Sequence, residues 1–421
     1  MNALPLASTL AVADSELATN VGTLLVIALI AAVVPLIVGL FRLKIAEVVL
    51  LLGFGVLFGP QALGLITVNE TINTFNELGL GMLFFLAGFE LEAHALQGRS
   101  GRLAVTGWLV SLALAFAITW GLWEAGFVKD LAGIAIALTS TALGTLLPVI
   151  RDRGLLHSEF GTFFMGAGAL GEFGPVLAIA LLLSSHSLVF TIITLVIFGA
   201  VAFVIWRSPG RLMTDRISAI VARGHQTSSQ TAVRWTVVLL LFLLGLAAEF
   251  GLDAVLGAFV AGVVLRRYAP PGEGNKLAPK IEAIGFGFFI PLFFVVSGAK
   301  LDIASIVANP GRLVVFFVLL LVVRGIPQYF LYRSAIPAVR ERWQFTLYVA
   351  TALPILVAIT SLEVSQGAML PENAAALVGA GALTVLVFPL LGDAINKTAT
   401  ARAAADHRGG SDDEYAAEPS S

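Results

Sequence analysis

Phe160-Gly-Thr-Phe-Phe-Met-Gly-Ala-Gly-Ala-Leu-Gly-Glu-Phe-Gly-Pro-Val-Leu-Ala-Ile-Ala-Leu-Leu-Leu183 is long and apolar enough to cross a bilayer, yet it carries Glu172 about a dozen residues from either end. A helix needs about 20 mostly apolar residues to span about 30 Å of hydrocarbon. A charge at the bilayer centre costs at least ~2.5–3.5 kcal/mol. Such a residue is kept for a partner or for a pathway. The stretch Leu313 to Tyr332 holds the other mid-span charge, Arg324. One charge of each sign admits a structural salt bridge. The sharper reading is a site for a proton or an ion.

Outward from this stretch the chain is the same in kind: 58% of its residues are hydrophobic and only 12% are charged, which sets its class as an all-α integral membrane protein. The sequence predicts thirteen spans near 21–41, 46–63, 72–92, 104–126, 131–150, 157–184, 187–206, 232–250, 254–268, 284–301, 311–333, 343–366 and 371–393. Residues 1–20 precede them and lack the basic start of a cleaved signal. Residues 396–421 form a tail rich in Gly, Ser, Asp and Glu towards its end, expected to be disordered and too short for a nucleotide-binding domain. There is no cysteine, so thiolate metal sites and cysteine nucleophiles are excluded. A net charge of -2 points to no nucleic-acid partner.

Placing the N-terminus outside puts 21 of the 25 Lys and Arg on cytoplasmic loops and the C-terminal tail, leaving only Lys129, Lys300 and Arg312 outside and Arg324 in the membrane. By the positive-inside rule this predicts an inner-membrane protein with its N-terminus out and its C-terminus in the cytoplasm.

The chain also repeats itself. Leu83-Phe-Phe-Leu-Ala-Gly-Phe-Glu-Leu-Glu92 matches Leu292-Phe-Phe-Val-Val-Ser-Gly-Ala-Lys-Leu-Asp302, Thr141-Ala-Leu143 matches Thr351-Ala-Leu353, and Gly166-Ala-Gly-Ala-Leu170 matches Gly379-Ala-Gly-Ala-Leu383. The three matches are in order at offsets of 209 to 213, so chance is a poor account of them. Partners lie seven spans apart, an odd number, so the copies face opposite ways. That is the inverted-repeat plan of secondary transporters, with a site near the midplane beside broken helices. Thr139-Ser140-Thr141 in span five and Thr351 to Pro354 in span twelve are the expected breaks. Hydroxyls bonded back to the preceding turn are the plain alternative, favoured for Thr139.

Gly79-Leu-Gly-Met-Leu-Phe-Phe-Leu-Ala-Gly-Phe-Glu-Leu-Glu92, Gly257-Ala-Phe-Val-Ala-Gly262 and Pro291-Leu-Phe-Phe-Val-Val-Ser-Gly298 resemble the monovalent cation:proton antiporters of the Kef and NapA-like group. The resemblance covers roughly residues 21 to 395. It implies a core of spans 104–184 and 311–393 moving against a dimerisation scaffold of spans 21–92 and 232–301, with 187–206 as the linking span. It implies a homodimer in the lipid bilayer. The family's essential membrane acid matches Glu172, its basic residue on span eleven matches Arg324, and its crossed, broken helices match spans five and twelve. Relatives carry two adjacent acids or Gln-Asp on span six; this chain has Gly171-Glu172.

A carboxylate at Glu172 can hold a proton or a metal cation, and competition for one group is enough for exchange. Sodium and potassium take oxygen ligands, which Glu172, the hydroxyls of Ser140 and Thr141 and carbonyls freed at the breaks would supply. Arg324 keeps its proton and is expected to tune the site rather than to carry anything. Gly166, Gly168 and Gly171 are expected to serve close packing. Glu90, Glu92, His94, Glu249, Asp253, Lys300 and Asp302 read as span ends or loops, with pH sensing as the second reading of the Glu90 cluster. The function expected is exchange of sodium or potassium for protons, without enzymatic activity or a resident cofactor. The competing readings are sodium-coupled uptake of an organic anion and a membrane sensor or scaffold that transports nothing.

Overall fold

A computed structural model describes residues 4–41, 46–90, 97–156, 158–182, 188–207, 230–252, 254–268 and 277–414. Backbone groups in hydrocarbon must be satisfied internally, and these residues answer with helices alone. In chain order they are α1 (Leu4–Phe41), α2 (Glu47–Phe58), α3 (Glu70–Glu90), α4 (Gly98–Glu124), α5 (Ala132–Ala137), α6 (Leu143–Asp152), α7 (Glu159–Leu182) and α8 (Leu188–Arg207). The second part holds α9 (Thr231–Glu249), α10 (Ala254–Tyr268), α11 (Ala278–Ala299), α12 (Ile303–Ala308), α13 (Pro310–Ser334), α14 (Val339–Val349), α15 (Pro354–Ser365) and α16 (Pro371–Glu414).

Helix occupies all thirteen expected spans, but among the described residues only nine stretches are long and apolar enough to cross a membrane unaided. The other four fall short for visible reasons: α2, α8 and α10 are short or marginal, and span five is broken into α5 and α6. The tail departs from expectation. The last helix runs on to Glu414, so most of the region expected to be disordered is helical; Ala401 and Ala403 to Ala405 are strong helix formers that extend it. Residues 415–421 lie outside the described residues.

Glycines set the closest approaches. A Cβ at Gly88 of α3 would overlap the Phe259 carbonyl of α10, and one at Gly262 of α10 would overlap the Phe85 carbonyl of α3. The same reciprocity joins α2 to α11, where Gly55 faces the Val295 carbonyl and Gly298 faces the Leu52 carbonyl. Without a hydrophobic drive between helices in lipid, such backbone approach is what binds them. The glycine-bearing motifs of the sequence are therefore packing seams. Around the outside, Leu25, Leu29 and Val33 of α1, Val189, Ile193 and Val196 of α8, and Trp235 and Leu241 of α9 are exposed, as lipid-facing side chains are.

Two spans break where the sequence expects. Span five stops between α5 and α6, at Leu138 to Ala142, and span twelve stops between α14 and α15, at Ala350 to Leu353. The cause in span twelve differs from the expected one. Pro354 does not open a gap inside a helix but stands first in α15, where a missing N–H costs nothing. The breaks cross and satisfy each other: the Ala142 N–H donates to the Thr351 carbonyl at 2.7 Å, and Thr141 Oγ1 donates to the Val349 carbonyl at 2.7 Å. Each is also tied to a long helix. The Thr141 N–H donates to the Gly171 carbonyl of α7 at 3.0 Å, and the Ala352 N–H donates to Thr384 Oγ1 of α16 at 3.0 Å.

Candidate functional site

Glu172 lies where α7 passes the break in span five. Its Oε1 accepts the Gly144 backbone N–H at 3.2 Å, in the first turn of α6. The first N–H groups of a helix have no partner within it, and the helix end carries partial positive charge. The carboxylate of one span therefore caps the half-helix of another. Glu172 is half-buried, Gly144 beside it is exposed, and every residue from Gly133 to Leu143 is buried. The carboxyl is thus enclosed on the α5 side and reachable on the α6 side.

Arg324 is fully buried, on a π-helical turn (Leu320–Gly325) within α13. Such wide turns recur at functional sites. Its Nε donates to Thr141 Oγ1 at 2.9 Å and its Nη2 to the Ala167 carbonyl at 2.7 Å. No ion pair joins it to Glu172 among the described residues, so the structural salt bridge is not formed. The guanidinium instead pins the span-five break to α7. Among the described residues, Glu90, the last residue of α3, is the charged group within electrostatic reach of Glu172.

The hydroxyl residues divide. Thr139 donates to the Ile136 carbonyl at 2.7 Å and Ser140 to the Ala137 carbonyl at 2.7 Å, both back-bonding to their own turn. Thr351 does the same to Leu347 at 3.0 Å. Thr141 alone reaches across, to Val349 and Arg324. Their hydroxyl protons are committed, which leaves oxygen lone pairs as the only donor set they offer to a cation. The carbonyls expected to be free are partly used: Val349 and Thr351 accept from span five. Gly168 meets the Leu143 side chain, and a Cβ at Gly171 would overlap Thr141 and lie 2.8 Å from Arg324 Nη2, so both pack the break.

A family described as "Sodium/hydrogen exchanger, transmembrane" matches residues 25–394. The chain belongs to that family. It is 24% identical over 72% of its length to YjbQ of Bacillus subtilis (strain 168), a candidate Na(+)/H(+) antiporter, of which the match covers 51%. It is 29% identical over 89% of its length to the glutathione-regulated potassium-efflux system protein KefC of Salmonella schwarzengrund (strain CVM19633), covering 60% of that protein. The chain therefore spans only about half to three-fifths of these curated relatives. Among solved structures it resembles the sodium proton antiporter MjNhaP1 from Methanocaldococcus jannaschii, with a TM-score of 0.56 and 16% identity over 91% of this chain and 97% of that one. At that identity the likeness shows the fold.

The remaining sequence candidates fall at the edges of the helices. Glu92, His94 and Asp253 lie outside the described residues. Glu249 closes α9. Asp302 caps α12, accepting the Ser305 N–H at 3.1 Å and its hydroxyl at 2.5 Å; these donors hold its carboxyl below the usual range. Sequence reading missed a polar cluster at the arginine-rich end. There Tyr348 Oη donates to Asp393 Oδ1 at 2.5 Å, and Arg153 pairs with Asp393 Oδ2. Arg153 reads as one more loop charge, and its partner 240 residues away in sequence leaves no local signal.

Proposed function

We propose that this exchanger swaps a monovalent cation, sodium or potassium, for protons by alternating access, with Glu172 as the group for which proton and cation compete. One observation carries the reading. The mid-span carboxylate Glu172 sits at the crossing of two broken helices, capped by the Gly144 N–H and in no ion pair with a cationic side chain among the described residues. An unpaired carboxylate of this kind is costly to keep and available to a ligand. The core of α4 to α7 and α13 to α16 would move against α1 to α3 and α9 to α11, bearing the site from one side to the other. Access to Glu172 from the α6 side, which bears Arg151 and Arg153, fits a cytoplasm-open state in an inner membrane with the N-terminus outside. The protein would act as a homodimer.

The test is purified protein in liposomes that enclose a pH-sensitive dye, challenged in turn with sodium, potassium and lithium gradients. Cation-dependent proton movement with a clear order among the three is expected. Silence under every gradient, in correctly inserted protein, would overturn the proposal in favour of a sensor or scaffold.

A further inference from the structure

Asp130 precedes α5, and Glu363 stands in the last turns of α15, so both lie at the ends of their half-helices remote from the breaks. Both are buried, at 8% and 2% exposure. Their side chains lie side by side against Gly133. Asp130 Oδ1 accepts the Gly133 N–H at 2.8 Å, and its Oδ2 shares the space beside Gly133 with Glu363 Cγ. Asp130 Oδ2 and Glu363 Oε1 are both buried and neither meets a donor among the described residues. Gly133 closes the space around them: a Cβ there would overlap Asp130 Oδ2 and lie 3.0 Å from Glu363 Cγ.

Among the described residues, the charged groups on the surrounding elements do not neutralise the pair. Lys129 and Glu124 are exposed. Arg312 of α13 is engaged by Asn373 at 2.5 Å and Glu372 at 3.8 Å, both on α16. The charged residues of α7, Glu159 and Glu172, are respectively in its first turn and at the span-five break. Two ionised carboxylates can only accept, and in contact they repel. A proton shared between them removes the repulsion and supplies the missing donor at once.

We propose that Asp130 and Glu363 form a second proton-binding site, holding one proton between two carboxyl groups and latching the outer halves of the two broken spans. Burial also pushes the Asp130 carboxyl above its ordinary range, in the direction the shared proton requires. The assignment is independent of Glu172. Because the folded protein holds the Asp130 carboxyl more readily protonated than the unfolded chain does, stability from the latch is full at acidic pH and falls as pH rises above the ordinary carboxyl range.

The experiment uses the Glu172→Gln protein, so that the proposed transport carboxyl is silent. Infrared pH titration follows the C=O stretch of protonated carboxyl groups. A band present at neutral pH should vanish in Glu172→Gln/Glu363→Gln and in Glu172→Gln/Asp130→Asn, because either amide supplies the donor that the proton supplied. Its midpoint should be the same in sodium, potassium and choline chloride. A parallel melting series, neutral to alkaline, should show wild-type stability falling with pH and Glu363→Gln flattening that fall. No such band, a band indifferent to both substitutions, or equal slopes in the melting series would overturn the proposal. A midpoint that moves with sodium or potassium would also overturn it, making the pair a cation site.

Discussion

Glu172 and Gly144 belong to different spans, yet the carboxylate of one closes the helix of the other, with Oε1 accepting the Gly144 N–H at 3.2 Å. A negative charge held by a helix N-terminus needs no basic side chain beside it. It also stays exposed to competition, since a proton or a cation changes the charge without dismantling a salt bridge.

Glu172→Gln separates these roles. The amide oxygen still accepts the Gly144 N–H, so the protein should fold, insert and melt within about 1 kcal/mol of wild type. Cation-driven proton movement in liposomes should be lost, because the amide neither exchanges a proton nor offers a full negative charge. Transport at the wild-type rate would show that the ion binds elsewhere.

Arg324 should act chiefly through structure. Arg324→Ala removes the donors to Thr141 and to the Ala167 carbonyl and leaves both acceptors buried, at a cost of about 3 kcal/mol or more. Arg324→Lys can keep one of the two bonds and should lose roughly half as much. With no ion pair to Glu172, the pH profile of transport in Arg324→Lys should match wild type. Thermal melting and pH-dependent flux measured on the same preparations decide this: a wild-type melt in the alanine variant, or a displaced pH profile in the lysine variant, counts against it.

The legible and the hidden parts of this site differ in range. The breaks at Thr139 to Thr141 and before Pro354, and the mid-span positions of Glu172 and Arg324, announce themselves because each is a polar residue or a proline in an apolar run. The salt bridge that the two charges admitted is not formed among the described residues. Sequence places both near the midplane, but the facing direction of a side chain depends on helix rotation, and the π-helical turn at Leu320–Gly325 alters that rotation locally. The Asp130–Glu363 contact was hidden for another reason: its members are 233 residues apart and read as loop and span end.

The seam between α3 and α10 should tolerate no side chain at its glycines. In Gly262→Ala the new Cβ would overlap the Phe85 carbonyl and lie 2.6 Å from the Phe89 nitrogen, both of them backbone atoms that cannot turn aside. Overpacking of this kind costs about 1–3 kcal/mol and sometimes more. Gly245→Ala is the control, since nothing lies within 4 Å of that position. Fluorescence-detected size exclusion after graded heating should show early loss of the first variant and a wild-type curve for the second.

Tyr348, Asp393 and Arg153 should behave as one unit. Tyr348→Phe removes the donor to Asp393 Oδ1, and Arg153→Ala removes the ion pair to Oδ2. Each should lower stability by about 1–2 kcal/mol. The double variant should differ from the sum by at least ~0.5 kcal/mol, as groups sharing a partner do. Strict additivity in a melting cycle would mean that the carboxylate does not couple them.

Charge balance gives the most exacting test. If Glu172 alone titrates during transport, the site is loaded by one proton or by one monovalent cation, and both forms are neutral at that residue. Arg324 keeps its charge throughout. The proton held by Asp130 and Glu363 belongs to the latch and does not cross. Exchange should then be one for one, and membrane voltage should leave its equilibrium unmoved. Glu90, which interacts electrostatically with Glu172, is the group most able to spoil this count by releasing a second proton. Liposomes with the voltage clamped by an ionophore for an untransported ion decide it. A proton gradient at equilibrium that follows the imposed voltage would rule out the single-carboxylate cycle. Restoration of voltage independence by Glu90→Gln would then name the second group.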